Sequence, residues 1–144
     1  AMQAGRIMLA RMDELLQKGE TFAFETTLAT KSYKQKIEWA QANGYEVTLL
    51  FFWLNTSKLA KKRVAQRVAE GGHSIPSETI ERRYHNGIVN LFAIYIDMVD
   101  ICYIFDNSEG RKELIAQKKN NKDIVIYNND KFNLMKNNYE KERN

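Results

Sequence analysis

Apolar residues recur at helical spacing over residues 3–18, where Ala4, Met8, Met12, Leu15 and Leu16 form one stripe and Gly19 supplies a stop. Residues 21–27 (Thr-Phe-Ala-Phe-Glu-Thr-Thr) are aromatic and β-branched and predict a strand that ends in Glu25, Thr26 and Thr27. A second helix is predicted over 31–43, with Tyr33, Ile37 and Ala40 on one face and Asn43-Gly44 as its end. Residues 47–54 (Val-Thr-Leu-Leu-Phe-Phe-Trp-Leu) are apolar on both parities, as expected of a strand buried on both faces inside a parallel sheet. A basic helix over 57–70 is broken by Gly71-Gly72-His73-Ser74-Ile75-Pro76, and a further helix runs from 77 to about 96. Another buried-type strand, 101–105, closes in Asp106-Asn107-Ser108. A short strand over 123–127 and a helix from Asn129 follow, and the polar end, 138–144, is expected to fray.

Strands alternating with helices predict an α/β protein with a mostly parallel sheet in a three-layer α/β/α arrangement, one domain over 1–144. Glu25-Thr26-Thr27, Asn55-Thr56 and Asp106-Asn107-Ser108 then all fall at strand carboxyl ends, where open α/β sheets bind ligands.

Composition narrows the class. With 144 residues, 44% hydrophobic and 28% charged, the chain suits one globular core and excludes collagen, coiled coil and global disorder. No apolar run approaches the roughly 18 residues of a membrane helix. Cys102 is the one cysteine, so neither an internal disulfide nor a cysteine zinc site can form. No secretory signal is recognised, so a reduced, cytoplasmic setting with no membrane partner is expected. Ala1 before Met2 reads as a tag remnant. A net charge of +4 suits an anionic ligand without demanding one.

Each chemical candidate has two readings. Glu25 can bind magnesium, hold a substrate hydroxyl or act as a base, or it can pair with a lysine while the threonines cap a helix. Arg67, Glu70-Gly71-Gly72-His73, Arg82 and Arg83 can fold guanidinium forks over phosphoryl oxygens, or form a helical hairpin with solvated basic faces. His73 and His85 fit no zinc spacing. Cys102 reads as a small core hydrophobe, and Asp106 either as a ligand contact or as part of an Asp-Asn-Ser turn. A nucleic-acid surface would use the basic helix 57–70 with Lys118, Lys119 and Lys122, but the aromatics read as core.

Ala4-Gly5-Arg6, Phe22-Ala23-Phe24-Glu25-Thr26-Thr27-Leu28, Gly44-Tyr45 before the strand 47–54, Arg67-Val68 with Gly71-Gly72-His73 and Pro76, Arg82-Arg83-Tyr84 and Phe105-Asp106-Asn107-Ser108 occur in that order. Together they resemble the zeta-toxin family of P-loop kinases over roughly residues 3–115. The resemblance implies a P-loop NTPase-like fold and transfer of the ATP γ-phosphoryl, with magnesium, to a small molecule such as a UDP-linked amino sugar, and an antitoxin partner. It implies that Glu25, Arg67 and Arg83 are catalytic, that Thr26, Thr27 and His73 contact substrate, and that Arg63, Asp106 and Asn107 contact the cofactor. No protein metal ligand is expected. The family's opening strand and G-x-x-x-x-G-K-[ST] loop are absent from this sequence. The chain is therefore expected to be the C-terminal part of such a kinase and inactive alone. The alternative is a non-catalytic interaction or nucleic-acid-binding module. Without the P-loop strand, strands 22–27 and 47–53 are expected to pair directly, or a second copy to fill the gap by self-association through the sheet edges.

Overall fold

The computed structural model describes residues 2–143. Ala1 and Asn144, and with them the tag remnant and the last residue of the expected frayed end, lie outside the described residues. The elements are α1 (Met2–Gln17), α2 (Tyr33–Ala42), β1 (Thr48–Trp53), α3 (Ser57–Ala69) and α4 (Ser77–Asn90). After α4 come a π-helical turn (Leu91–Tyr95), α5 (Ile96–Met98), β2 (Ile101–Asp106), β3 (Glu113–Lys119), β4 (Val125–Ile126) and α6 (Asn129–Glu142).

The protein is α/β, with a four-stranded sheet in the order β1-β2-β3-β4. Only β1 and β2 are parallel; β3 and β4 each join antiparallel, so the expected mostly parallel sheet is a mixed one. The reason lies in 113–119. This strand was missing from the pattern because Gln117, Lys118 and Lys119 mask its apolar centre, Leu114-Ile115-Ala116. It returns from β2 through a short turn, which only antiparallel pairing permits.

The three-layer expectation is also corrected. Along β2, Cys102, Ile104 and Asp106 are buried while Ile101, Tyr103 and Phe105 are half-buried. The core on the first side gathers Trp53, Ile88, Leu91, Tyr95, Cys102, Ile104, Ile115, Phe132 and Met135. On the second side, Leu50, Phe52 and Val125 are each 43–50% exposed. Among the described residues, the helices cover one face of the sheet and leave the other bare.

The expected strand 21–27 does not form, and it does not pair with β1. Residues 20–30 run without regular structure. They bind instead to the long helix: Asn90 Nδ2 donates to the Leu28 carbonyl at 2.9 Å, and the Tyr95 hydroxyl donates to the Thr30 carbonyl at 2.7 Å. Gly87 makes the approach possible, because a Cβ there would lie 2.6 Å from the Thr27 carbonyl oxygen. Leu28 takes a left-handed backbone (φ 63°) to bury its side chain beneath this crossing. Strand propensity without a neighbouring strand leaves backbone groups unpaired, and side chains of the α4–α5 helix supply some of the partners.

The end of the chain is firmer than its polarity predicts. α6 continues to Glu142 because Phe92 stacks on Tyr139, with ring centroids 5.4 Å apart, and Phe132 and Met135 are buried. Cys102, mid-strand in β2, is 1% exposed, and burial pushes its thiol up to about 12.

Candidate functional site

Parallel pairing of β1 with β2 sets their carboxyl ends side by side, Trp53 opposite Asp106. The two polar clusters that follow them are stitched together. Asn107 N–H donates to the Trp53 carbonyl at 2.8 Å, and Asn55 N–H donates to Ser108 Oγ at 2.9 Å. Thr56 caps α3 by accepting from Leu59 N–H. From that helix Arg63 reaches back, its Nη2 donating to the carbonyls of Asn107 at 2.7 Å and Ser108 at 3.2 Å. Three residues expected at a cofactor, Arg63, Asp106 and Asn107, thus do come together, but Arg63 is spent on backbone carbonyls.

Asp106 is buried and bonded internally. Its Oδ1 accepts from Ser108 N–H at 2.9 Å and its Oδ2 from Lys131 Nζ at 2.6 Å. Lys131 also donates to Glu113 at 2.7 Å, and Asn128 both caps α6 and donates to Glu113. Burial alone would raise the Asp106 carboxyl; the Lys131 and Ser108 donors outweigh it and hold the group below its ordinary value. The Lys131 ammonium is held well above its ordinary range by Asp106 and then Glu113. Lys131, Glu113 and Asn128 were missed in the sequence. The Asn-Asn-Asp-Lys run opening the last helix was the available signal, since Asn is a good cap.

The second region lies along α3, the glycine turn and α4. Gly71 (φ 100°) and Gly72, whose N–H donates to the Arg67 carbonyl at 2.7 Å, fold the chain back after α3. Arg67, His73 and Arg82 are exposed and Arg83 is half-buried. None of the four has a side-chain hydrogen-bond or ion-pair partner among the described residues. Elsewhere in the hairpin, Glu81 takes Lys61, His85 Nε2 at 3.3 Å and the Ser57 hydroxyl at 3.1 Å. These donors, Lys61 first, hold the Glu81 carboxyl down at about 2. The Tyr84 hydroxyl donates to the Leu54 carbonyl at 2.6 Å, tying α4 to the end of β1, and burial pushes it up to about 12.

Glu25, Thr26 and Thr27 are exposed. Thr26 Oγ1 accepts from Leu28 N–H and from the Tyr33 hydroxyl, both at 3.1 Å, and Phe24 packs on the Tyr33 ring. The segment passes Gly87, Asn90 and Tyr95 with Thr27, Leu28 and Thr30 in turn, so it runs along the helix in the same direction. Gly87 and Asn90 position this crossing and were not singled out in the sequence; a lone glycine inside a helical pattern was the signal.

Shallow depressions along α1 (Gln3, Arg6, Ile7, Ala10) and between α1 and α2 (Asp13, Leu16, Gln35, Lys36, Trp39) lie away from these groups. No group of three or more His, Cys, Asp or Glu side chains converges among the described residues, and Asp106 is committed to Lys131. Magnesium carried by ATP needs only one or two protein carboxylates, and the exposed Glu25 is the expected residue that could approach it. The free guanidiniums do fit phosphate oxygens.

A model of the Zeta toxin family matches residues 2–132. The chain belongs to the zeta toxin family. A Haemophilus influenzae protein described as an uncharacterized protein is 29% identical over 83 residues, 58% of this chain and 59% of that protein. The chain thus matches less than two thirds of that relative's length. No solved structure matches the chain. Membership points to kinase-like, ATP-dependent phosphoryl transfer at the level of the family, and the α/β sheet with its helices is compatible with a P-loop-like fold. No helix among the described residues is long and apolar enough to cross a membrane.

Proposed function

We propose that this chain carries the arginine lid and the acceptor-side segment of an ATP-dependent phosphotransferase acting on a small hydroxylated molecule, a UDP-linked amino sugar by family resemblance. The family match over 131 of 144 residues carries this reading. The local support is that Arg67, Arg83 and His73 stand around the glycine turn without side-chain hydrogen-bond or ion-pair partners among the described residues. Bound ATP would supply the phosphoryl group. The Arg67 and Arg83 guanidiniums would donate to its phosphate oxygens and offset charge that builds up in transfer. Glu25, with Thr26, Thr27 and His73, would hold the acceptor hydroxyl.

The chain alone is proposed to be inactive. A phosphate cradle of backbone amides and a lysine requires G-x-x-x-x-G-K-[ST], and the sequence has none. Titration calorimetry with ATP tests this, alongside a transfer assay using a UDP-linked amino sugar. Millimolar or weaker binding and no transfer are expected; micromolar affinity with turnover would refute the claim. We propose likewise that an antitoxin partners the chain and that copies self-associate through the open edge of β1.

The interaction-module reading through helix 57–70 has weaker support. Lys61 and Arg63 are already engaged, which leaves Lys58, Lys62 and Arg67 as its exposed cations.

A further inference from the structure

The long helix after the glycine turn changes its winding once. Leu91–Tyr95 form a π-helical turn, in which the Ile96 N–H donates to the Leu91 carbonyl, five residues back. Such a turn holds one residue more than an α-helical one, and it is frequent at functional sites. Its neighbours give it a use. Gly87 lies against the Thr27 carbonyl, Asn90 donates to that of Leu28 and Tyr95 to that of Thr30. Gly87 and Asn90 are three apart and share a side of α4. Asn90 and Tyr95 are five apart, which in an uninterrupted α-helix sets them about 140° apart around the axis. The extra residue of the π turn takes up much of that angle and returns the Tyr95 hydroxyl to the segment. Both donors are inside the protein, with Asn90 3% and Tyr95 0% exposed.

The tethered segment brackets one carboxylate. On one side of Glu25, Thr26 Oγ1 accepts from the Tyr33 hydroxyl at 3.1 Å; on the other, Phe24 packs on the same buried Tyr33 ring. Glu25 itself is exposed and has no hydrogen-bond or ion-pair partner among the described residues. We propose that the π turn is a positioning element for Glu25. By aligning Tyr95 with Asn90 it fixes residues 27–30 on the helix and so holds the Glu25 carboxylate out toward an acceptor hydroxyl. This rests on the acceptor-side role proposed for Glu25 above. Asn90 and Tyr95 are positioning residues, acting through the segment.

Amide exchange by NMR on the full chain, with UDP-N-acetylglucosamine as the added probe, tests it. Tyr95→Phe keeps the buried ring and removes the hydroxyl. Amides of residues 24–30 should then exchange at least about tenfold faster, while those of β2 and β3 keep their protection. The probe should shift the Thr26 and Thr27 amides of the parent and bind Tyr95→Phe at least about fivefold more weakly. Ile88→Val, a core change on the same helix, should leave that affinity unchanged. Deleting the exposed Ala93 from the turn sets Asn90 and Tyr95 four apart, about 40° in an ordinary α-helix, so the segment should stay protected. Absence of any shift in the parent would sink the acceptor role of Glu25, whatever the exchange shows. The positioning is overturned by unchanged exchange or affinity in Tyr95→Phe, by protection lost equally through the sheet, by an equal loss of affinity in Ile88→Val, or by a segment released when Ala93 is deleted.

Discussion

Two regions carry the polar residues around the strand ends, and they are built on opposite principles. At the end of β2, Asp106 meets Lys131 and the Ser108 N–H, Lys131 meets Glu113, Glu113 meets Asn128, and Arg63 meets the carbonyls of Asn107 and Ser108. Across the glycine turn, Arg67, His73, Arg82 and Arg83 meet nothing among the described residues. The first region spends its charge on holding β2, β3, α3 and α6 together. The second leaves its guanidiniums without partners. Residues that resemble a family's site can thus be consumed by structure in one region and left available in another, and only the pairing separates the two.

The largest effect is expected at the crossing of the segment 20–30 over α4. Gly87→Ala would drive a Cβ to 2.6 Å from the Thr27 carbonyl oxygen, a backbone atom that cannot rotate away. Denaturant unfolding should show a loss of about 1–3 kcal/mol. An unchanged midpoint would mean that the segment 20–30 does not lie on α4 in solution. Asn90→Ala removes a buried donor from the Leu28 carbonyl and should cost about 1–2 kcal/mol by the same measurement.

Lys131→Met tests the locked region. It leaves Asp106 buried without its cation and should lower the melting temperature at pH 7 measurably. The acid limb gives the sign. The Asp106 carboxyl is depressed in the folded chain, so its stabilisation is complete above the ordinary value of 3.8 and is lost as pH falls through the lower folded value. Glu81, held at about 2, acts the same way between 4.5 and that value. Thermal scans from pH 5 to pH 2 should show falling stability, and Lys131→Met should flatten the Asp106 share. A variant as acid-sensitive as the parent would break the comparison.

The smallest stability changes belong to the unpartnered guanidiniums. Arg67→Ala and Arg83→Met should each shift stability by less than about 0.5 kcal/mol, since neither side chain has a partner to lose. The same variants should weaken binding of inorganic triphosphate, read by calorimetry. If they unfold the chain, these cations are structural after all.

The helices were legible because their apolar stripes are long and their breakers strong, as at Gly19, Asn43-Gly44 and Gly71-Gly72. The sheet was legible only in part. β1 and β2 read as buried on both faces because Leu50, Phe52, Tyr103 and Phe105 are apolar, yet apolarity does not say whether anything covers a face. β3 was hidden by its charged end. The segment 21–27 has strand propensity, which forms no strand without a ladder. At the site, Arg63, Asp106 and Asn107 were found as a group. Their neutraliser, Lys131, comes from an element 25 residues beyond Asp106, and no local pattern announces it. Free cations look the same as paired ones in a sequence, so the status of Arg67 and Arg83 became visible only once their neighbours were placed.

Cys102 turns the fold into its own clock. The chain has one thiol, buried in the strand between β1 and β3 and far from ionising at neutral pH. A disulfide reagent or maleimide added to the native protein meets nothing to attack until β2 is exposed. Each modified molecule is then a count of one opening of the central sheet, and the rate of modification times that opening without any introduced label.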